Sequence, residues 1–198
     1  MLKGLTILSF LLLAITNFFS CSSKRPDIYT DIDDTASFDQ IFIKEIPTYN
    51  EGPLKGQTDF IYPYIKKQTT ELRLDNIQSG FNALQIRIWL NVALKKKKHL
   101  VILKRTSQKW TGQLVTINTE YNDSINEHFI KTSNFQNVTP KSGWDNLFKE
   151  LTNQKLFTLP DMNQIPDYRT GEDGFEFVVE YATNTKYRLY HYWSPSIY

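Results

Sequence analysis

Strict alternation of apolar and polar residues marks the centre of the chain. From residue 84 to residue 94 the apolar side chains occupy every second position: Leu84, Ile86, Ile88, Leu90, Val92 and Leu94. A period of two indicates a β-strand with one buried face. We therefore predict that these residues face the core, and that Arg87, which lies between them, faces solvent.

Similar alternation, broken by turn residues, predicts strands along most of the chain. Short turns separate the strands after residue 94, and four consecutive lysines, 95–98, read as a solvated hairpin tip. The predicted strands cover residues 40–43, 71–77, 84–94, 99–103, 110–121, 127–135, 175–181 and 186–193. Neighbouring strands joined by short turns pair antiparallel, so the pattern predicts a β-meander that closes in a C-terminal hairpin.

In one segment, around residues 142–151, the spacing of apolar residues changes from that of a strand to that of a helix. Trp144, Leu147, Phe148 and Leu151 fall on one helical face, and Ser142 with an acidic residue three positions later predicts a capping box. The sequence thus predicts one amphipathic helix packed on the sheet, within an α+β fold. Residues 39–198 form the single globular domain in this reading. Its entry segment, residues 39–70, contains several Pro and Gly residues and is expected to be loop-rich.

The first 20 residues have the form of an export signal. Lys3 precedes a mostly apolar run from Leu5 to Phe19. This run is short for a permanent span, which needs about 20 apolar residues. Residues 1–20 are therefore interpreted as a signal peptide.

Cys21 is the only cysteine and directly follows that run. The stretch Phe18-Phe19-Ser20-Cys21 resembles the signal of bacterial lipoproteins of the Gram-negative type. The resemblance implies that Cys21 is lipidated and becomes the first residue of the mature chain. With Ser22 rather than Asp next, it also implies an outer-membrane position facing the periplasm. Cleavage after Ser22 as an ordinary signal is the alternative.

The polar residues 21–38 read as a tether between lipid and domain. Within it, Asp31-Ile32-Asp33-Asp34-Thr35 resembles the first motif of the haloacid-dehalogenase phosphatases. No apolar strand precedes the motif to present Asp31 as a nucleophile, so we interpret the match as coincidence. Thr35 also resembles the acceptor of a bacterial O-glycosylation system, and Ser124 does so in a second triplet.

No catalytic, cofactor or metal motif is present in the sequence. The three histidines lack companions at ligand spacing, and no Walker loop or nucleophile elbow occurs. Glu176 and Glu180 alternate with apolar residues and are expected on the solvent face of a strand. Arg188, Tyr190 and Tyr192 share one face of the last strand and are predicted to point outward as a binding surface, although tyrosines also simply fit strands.

The net charge of the mature chain bears on its possible partners. Removal of the signal deletes one of 23 basic residues, which leaves 22 against 21 acidic residues. This near-neutral balance predicts no nucleic-acid partner. The sequence favours a membrane-anchored, non-enzymatic binding module without a cofactor, inhibitor-like or immunity-like, whose partner is a protein or glycan of the cell envelope. The alternative is a cell-envelope hydrolase whose site is scattered through the fold.

Overall fold

A seven-stranded sheet organises the chain. The computed structural model describes residues 41–92, 95–107, 109–124, 126–168 and 174–194. The strands are β1 (Ile43–Glu45), β2 (Leu84–Val92), β3 (Lys97–Thr106), β4 (Lys109–Asn122), β5 (Glu127–Val138), β6 (Phe175–Ala182) and β7 (Lys186–Trp193). The helices are α1 (Ile61–Glu71) and α2 (Trp144–Asn153), with a short 3₁₀ helix at Met162–Gln164. The predicted α+β class is confirmed.

Strand order across the sheet is β1-β7-β6-β2-β3-β4-β5. The predicted meander and C-terminal hairpin are both present, because β2 to β5 and β6 to β7 pair antiparallel. The short β1 pairs parallel with β7, but only along residues 186–188. The rest of the outer edge of β7 therefore lies beyond β1, and other elements cover it. Among the described residues, no helix is long and apolar enough to cross a membrane.

Both faces of the sheet are covered at its centre, whereas β5 at its edge is largely exposed. Helix α1 packs on one face against residues such as Trp89 and Leu100, and α2 packs on the other through Leu151, against residues such as Ile86. The hydrophobic core consequently has two layers with the sheet between them. Successive side chains along a central strand therefore point alternately into one buried layer and into the other.

This arrangement corrects three assignments to solvent. Arg87 is 1% exposed, Glu180 is fully buried and Glu176 is 7% exposed. The apolar face of β2 was predicted correctly at Ile86 and Ile88, which are both buried. Arg87, Glu176 and Glu180 were wrongly assigned to solvent because they lie on the opposite face of the sheet, against which a second helix packs.

That second helix, α1, was missed. The sequence indicated loop up to residue 70 and a strand at 71–77, whereas residues 61–71 are helical. Pro63 is tolerated because it lies in the first turn, where backbone N–H groups have no helical acceptor. The buried positions are spaced as in a helix with one apolar face, at Ile61, Ile65, Gln68 and Thr69.

The predicted helix at Trp144 is present, but its predicted capping box is wrong. Gly143 occupies the N-cap position with φ of 82° and ψ of 162°, and no side chain caps the helix. This backbone conformation is essentially restricted to glycine. Trp144 then stacks on Trp110 of β4, with ring centroids 5.9 Å apart, which fixes the start of α2 on the sheet.

Candidate functional site

A surface depression lies at the β7 end of the sheet, next to the stretch of β7 that β1 does not cover. One wall is formed by residues 49–51, which come after β1 in the chain, and the other by residues 162–168, in and after the 3₁₀ helix. Asn50 Nδ2 joins the two walls by donating to the backbone oxygen of Asn163. We call this the edge depression, of about 210 Å³, lined by Tyr49, Asn50, Glu51, Met162, Asn163, Ile165, Asp167 and Tyr168. Its lining therefore combines amides, carboxylates, phenols and two apolar side chains.

Behind the edge depression lies a buried group of four ionisable side chains, the carboxylate–histidine cluster. It consists of Asp59, Asp161, Glu176 and His191, which are 0%, 3%, 7% and 0% exposed. Asp59 precedes α1, Asp161 precedes the 3₁₀ helix, and the other two lie on β6 and β7. Four separate elements therefore meet at one imidazole.

The imidazole of His191 has carboxylates on both sides. Its Nε2 lies 3.5 Å from Asp59 Oδ2 and 3.8 Å from Asp161 Oδ2, and its Nδ1 lies 3.5 Å from Glu176 Oε1. These are ion-pair distances that are too long for good hydrogen bonds, and neither ring nitrogen has a hydrogen-bond partner. Three acids facing one base favour the protonated imidazolium.

The pKa values follow from this geometry. Burial by itself lowers the pKa of His191, but the carboxylates of Asp59, Glu176 and Asp161 outweigh burial and raise that pKa to about 9. Burial tends to raise the pKa of Asp59, yet His191 and the donors from Ile61 and Asn163 hold it below its usual value. For Asp161, burial dominates and raises the pKa. At neutral pH the cluster therefore contains a buried imidazolium.

Backbone and amide donors hold the carboxylates in place. Asp161 Oδ2 accepts from the backbone N–H of His191 at 2.9 Å, at the edge of β7 beyond the residues that pair with β1. Asp59 Oδ1 accepts from Ile61 N at 3.0 Å, and its Oδ2 accepts from Asn163 Nδ2 at 2.7 Å. Since Asn163 also lines the edge depression, its side chain connects the depression to the cluster.

A second buried group lies on the same face of the sheet. Glu180 accepts from Trp89 Nε1 at 3.0 Å and from the Tyr187 hydroxyl at 2.8 Å, and Arg87 Nη1 lies 3.7 Å from Glu180 Oε1. Burial raises the pKa of Glu180 and lowers the pKa of Arg87, while each attracts the other's charged form. The two side chains are buried in the sheet–helix interface, so we interpret this pair as part of the core.

The predicted binding surface does not face outward. Tyr190 is fully buried and Tyr192 is 4% exposed, because the chain after α2 passes over them. The hydroxyl of Tyr190 donates to the backbone oxygen of Leu156, and that of Tyr192 donates to Pro160. Arg188, on the same face, donates to the backbone oxygen of Phe157 at 2.9 Å. These three residues bind the segment that leads to the edge depression.

Other predicted positions fall elsewhere. Cys21, Thr35 and the Asp31 motif lie outside the described residues. Ser124 is exposed in the turn between β4 and β5. Among the described residues, no three His, Cys, Asp or Glu side chains are placed to hold a metal ion.

Sequence reasoning missed the carboxylate–histidine cluster. The acids that surround His191 are far from it along the chain, and Asp59 and Asp161 lie in segments that the sequence predicts to be loops. Asp161 with Gln164 does form a capping box at the 3₁₀ helix. That local pattern was the one available signal that Asp161 is held in place.

No family model, curated protein sequence or solved structure matches this chain. The function is therefore inferred from the site alone. Chemically, the edge depression offers donors and acceptors to a small polar group. The imidazolium behind it is fully buried, so the described arrangement gives a bound molecule no direct contact with His191.

Proposed function

We propose that the chain is a non-enzymatic binding module of the cell envelope, anchored through a lipid on Cys21 at the outer membrane and facing the periplasm. Its ligand is a polar group, a sugar unit or a polar peptide side chain, carried by an envelope glycan or protein. The observation that carries this proposal is the edge depression, with its polar lining at the surface and its charged cluster buried behind it.

The lining suits a neutral polar ligand. Phenol rings offer apolar faces with polar tips, and amides both donate and accept hydrogen bonds. Glu51 and Asp167 add acceptors for ligand hydroxyl or amide groups. Pockets that bind small groups typically combine such convergent polar groups with apolar contact area.

The electrostatics favour binding over catalysis. A general base must reach the proton that it removes, and its pKa should lie near the working pH. His191 is buried, and with a pKa of about 9 it is already protonated at neutral pH. The carboxylate–histidine cluster thus supports the walls of the depression, and the hydrolase alternative finds less support here.

The test compares ligand capture by the wild type with capture by Glu51→Gln and Asp167→Asn, separately and combined. Detergent-solubilised protein would be incubated with immobilised envelope glycans and with a peptide array. We expect binding that the double variant weakens at least tenfold, because two acceptors of the depression lose their charge. Glu150→Gln, on the exposed side of α2, is the matched control and should bind as the wild type does.

The opposite results would also be informative. Equal binding by wild type and double variant would show that the ligand does not bind in the edge depression. Turnover of an envelope ester, amide or glycoside that disappears in Glu51→Gln would instead favour the hydrolase.

A further inference from the structure

Strand β5 forms the other end of the sheet, opposite the edge depression. It pairs with β4 only, so its outer edge presents backbone donors and acceptors that no other described strand pairs. Ten of its twelve residues are exposed, including Phe129 and Phe135 at 38% and 42%. An edge strand that is exposed on both faces is a template for pairing with another strand.

Two devices that usually protect edge strands occur only in the first half of β5. A register shift leaves Lys131 unpaired between Ile130 and Thr132, which indicates a β-bulge. The charged residues Glu127 and Lys131 lie in that half as well, and they form ion pairs with Lys67 and Glu120. Residues 132–138, Thr-Ser-Asn-Phe-Gln-Asn-Val, contain no charge and no proline. This second half is therefore open to pairing.

The second half of β5 is complementary to itself. In an antiparallel pair centred on Phe135, residue i faces residue 270 − i of the second strand. Phe135 then faces its own copy, Asn134 faces Gln136, and Ser133 faces Asn137. Aromatic pairs and amide pairs stabilise neighbouring strands, and no like charges oppose each other. Self-complementarity of this kind is what a two-fold symmetric interface requires.

We propose that two copies of the chain pair through residues 132–138 of β5, antiparallel and centred on Phe135. The two seven-stranded sheets then form one sheet of fourteen strands. This inference goes beyond the proposed function and does not depend on it. It places the two edge depressions at opposite ends of the joined sheet, so a dimer can hold two ligand groups at once.

Disulfide trapping tests the register. Phe135→Cys and Phe129→Cys would each be made in the full chain, and wild type, which has Cys21 as its only cysteine, gives the baseline. Directly opposed residues of antiparallel strands have Cα atoms about 4.5–5.5 Å apart, within disulfide range. After mild oxidation in membranes, Phe135→Cys should run as a covalent dimer on non-reducing gels. Phe129→Cys should resemble wild type.

Charge repulsion tests the interface without a cross-link. The double variant Asn134→Lys and Gln136→Lys brings four lysines together across the two-fold axis, at positions exposed in the single chain. Analytical ultracentrifugation in detergent should show a dimer for wild type and a monomer for the variant. Phe129→Lys, in the first half of the same strand, should remain a dimer. Circular dichroism checks that all three are folded.

Several outcomes would overturn the proposal. These are a monomeric wild type, a lysine variant that stays dimeric, and cross-linking at position 129 as efficient as at position 135. Binding in the edge depression is measured separately by Glu51→Gln and Asp167→Asn, which should leave the dimer intact. Failure of one proposal is thereby distinguished from failure of the other.

Discussion

At the scale of single residues, the two faces of β2 carry different chemistry but are equally buried. Ile88 contacts the apolar layer below α2, and Arg87 faces the layer below α1. Most of the Arg87 guanidinium has partners. Nη2 donates to the backbone oxygen of Asp75, and Nε and Nη2 donate to the side-chain oxygen of Gln85 once that amide is flipped. Nη1 makes no hydrogen bond but lies 3.7 Å from Glu180 Oε1. A buried guanidinium is tolerated only with such partners.

Arg87→Ala is therefore expected to destabilise the protein as strongly as a large core truncation. Removing one member of a buried ion pair costs roughly 3–5 kcal/mol, because Glu180 remains buried without its cation. Ile88→Ala should cost roughly 2–5 kcal/mol. Urea unfolding followed by tryptophan fluorescence measures both free energies. Lys149→Ala, at an exposed position of α2, is the control and should change little. A cost for Arg87→Ala as small as that control would contradict the buried pair.

At the scale of elements, the start of α2 depends on backbone conformation rather than on a side-chain cap. Gly143 has the positive φ that other residues avoid, and a Cβ there would meet no neighbouring atom. The Ser142 hydroxyl is buried and makes no hydrogen bond. A capping Ser replaced by Ala normally costs roughly 0.5–2 kcal/mol.

Two substitutions separate these explanations. We expect Ser142→Ala to change the free energy of unfolding by less than about 0.5 kcal/mol, because the substitution removes no hydrogen bond and no helix cap. Gly143→Ala should cost roughly 1–3 kcal/mol through backbone strain alone. Thermal unfolding by circular dichroism measures both. A larger loss of unfolding free energy for Ser142→Ala than for Gly143→Ala would support the predicted capping box instead.

What the sequence reveals about the elements depends on how local each signal is. The alternation at Ile86 and Ile88 is a property of neighbouring residues, so β2 and its apolar face were predicted. Helix α1 was missed because Pro63 was counted as an interruption, although its first-turn position is harmless. The solvent assignment of Arg87 failed for a different reason. Whether a second helix covers a sheet face is decided by tertiary structure, and alternation alone is equally compatible with both cases.

At the scale of the whole molecule, the carboxylate–histidine cluster joins parts that are far apart in sequence. Asp59 belongs to the start of α1, Asp161 to the covering segment after α2, and Glu176 and His191 to the C-terminal hairpin. None of these carboxylates could be assigned to His191 from spacing along the chain. The charge of one imidazole therefore contributes to holding α1, the covering segment and the hairpin together.

This dependence makes stability sensitive to pH. The pKa of His191 rises from its ordinary value of 6.5 to about 9 in the folded chain, because Asp59, Glu176 and Asp161 outweigh the effect of burial. A raised pKa means that the folded state holds the proton more tightly than the unfolded state does. The stabilisation is thus fully present below about pH 6.5 and is lost as pH rises through 9. Asp59, whose pKa is lowered, loses its contribution only in acid, as pH falls below 3.8.

We expect the free energy of unfolding to fall by roughly 3 kcal/mol between pH 6.5 and pH 9.5, since one pKa unit corresponds to about 1.4 kcal/mol. Urea titrations across this range measure the decline. His191→Gln should be less stable than wild type at pH 6.5. Its free energy of unfolding should then change little between pH 6.5 and pH 9.5, because the titrating group is gone. His128→Gln, at an exposed position of β5, keeps the cluster and should decline as wild type does. If wild type instead became more stable as pH rose, His191 would be buried in its neutral form, and the three carboxylates would need another source of positive charge.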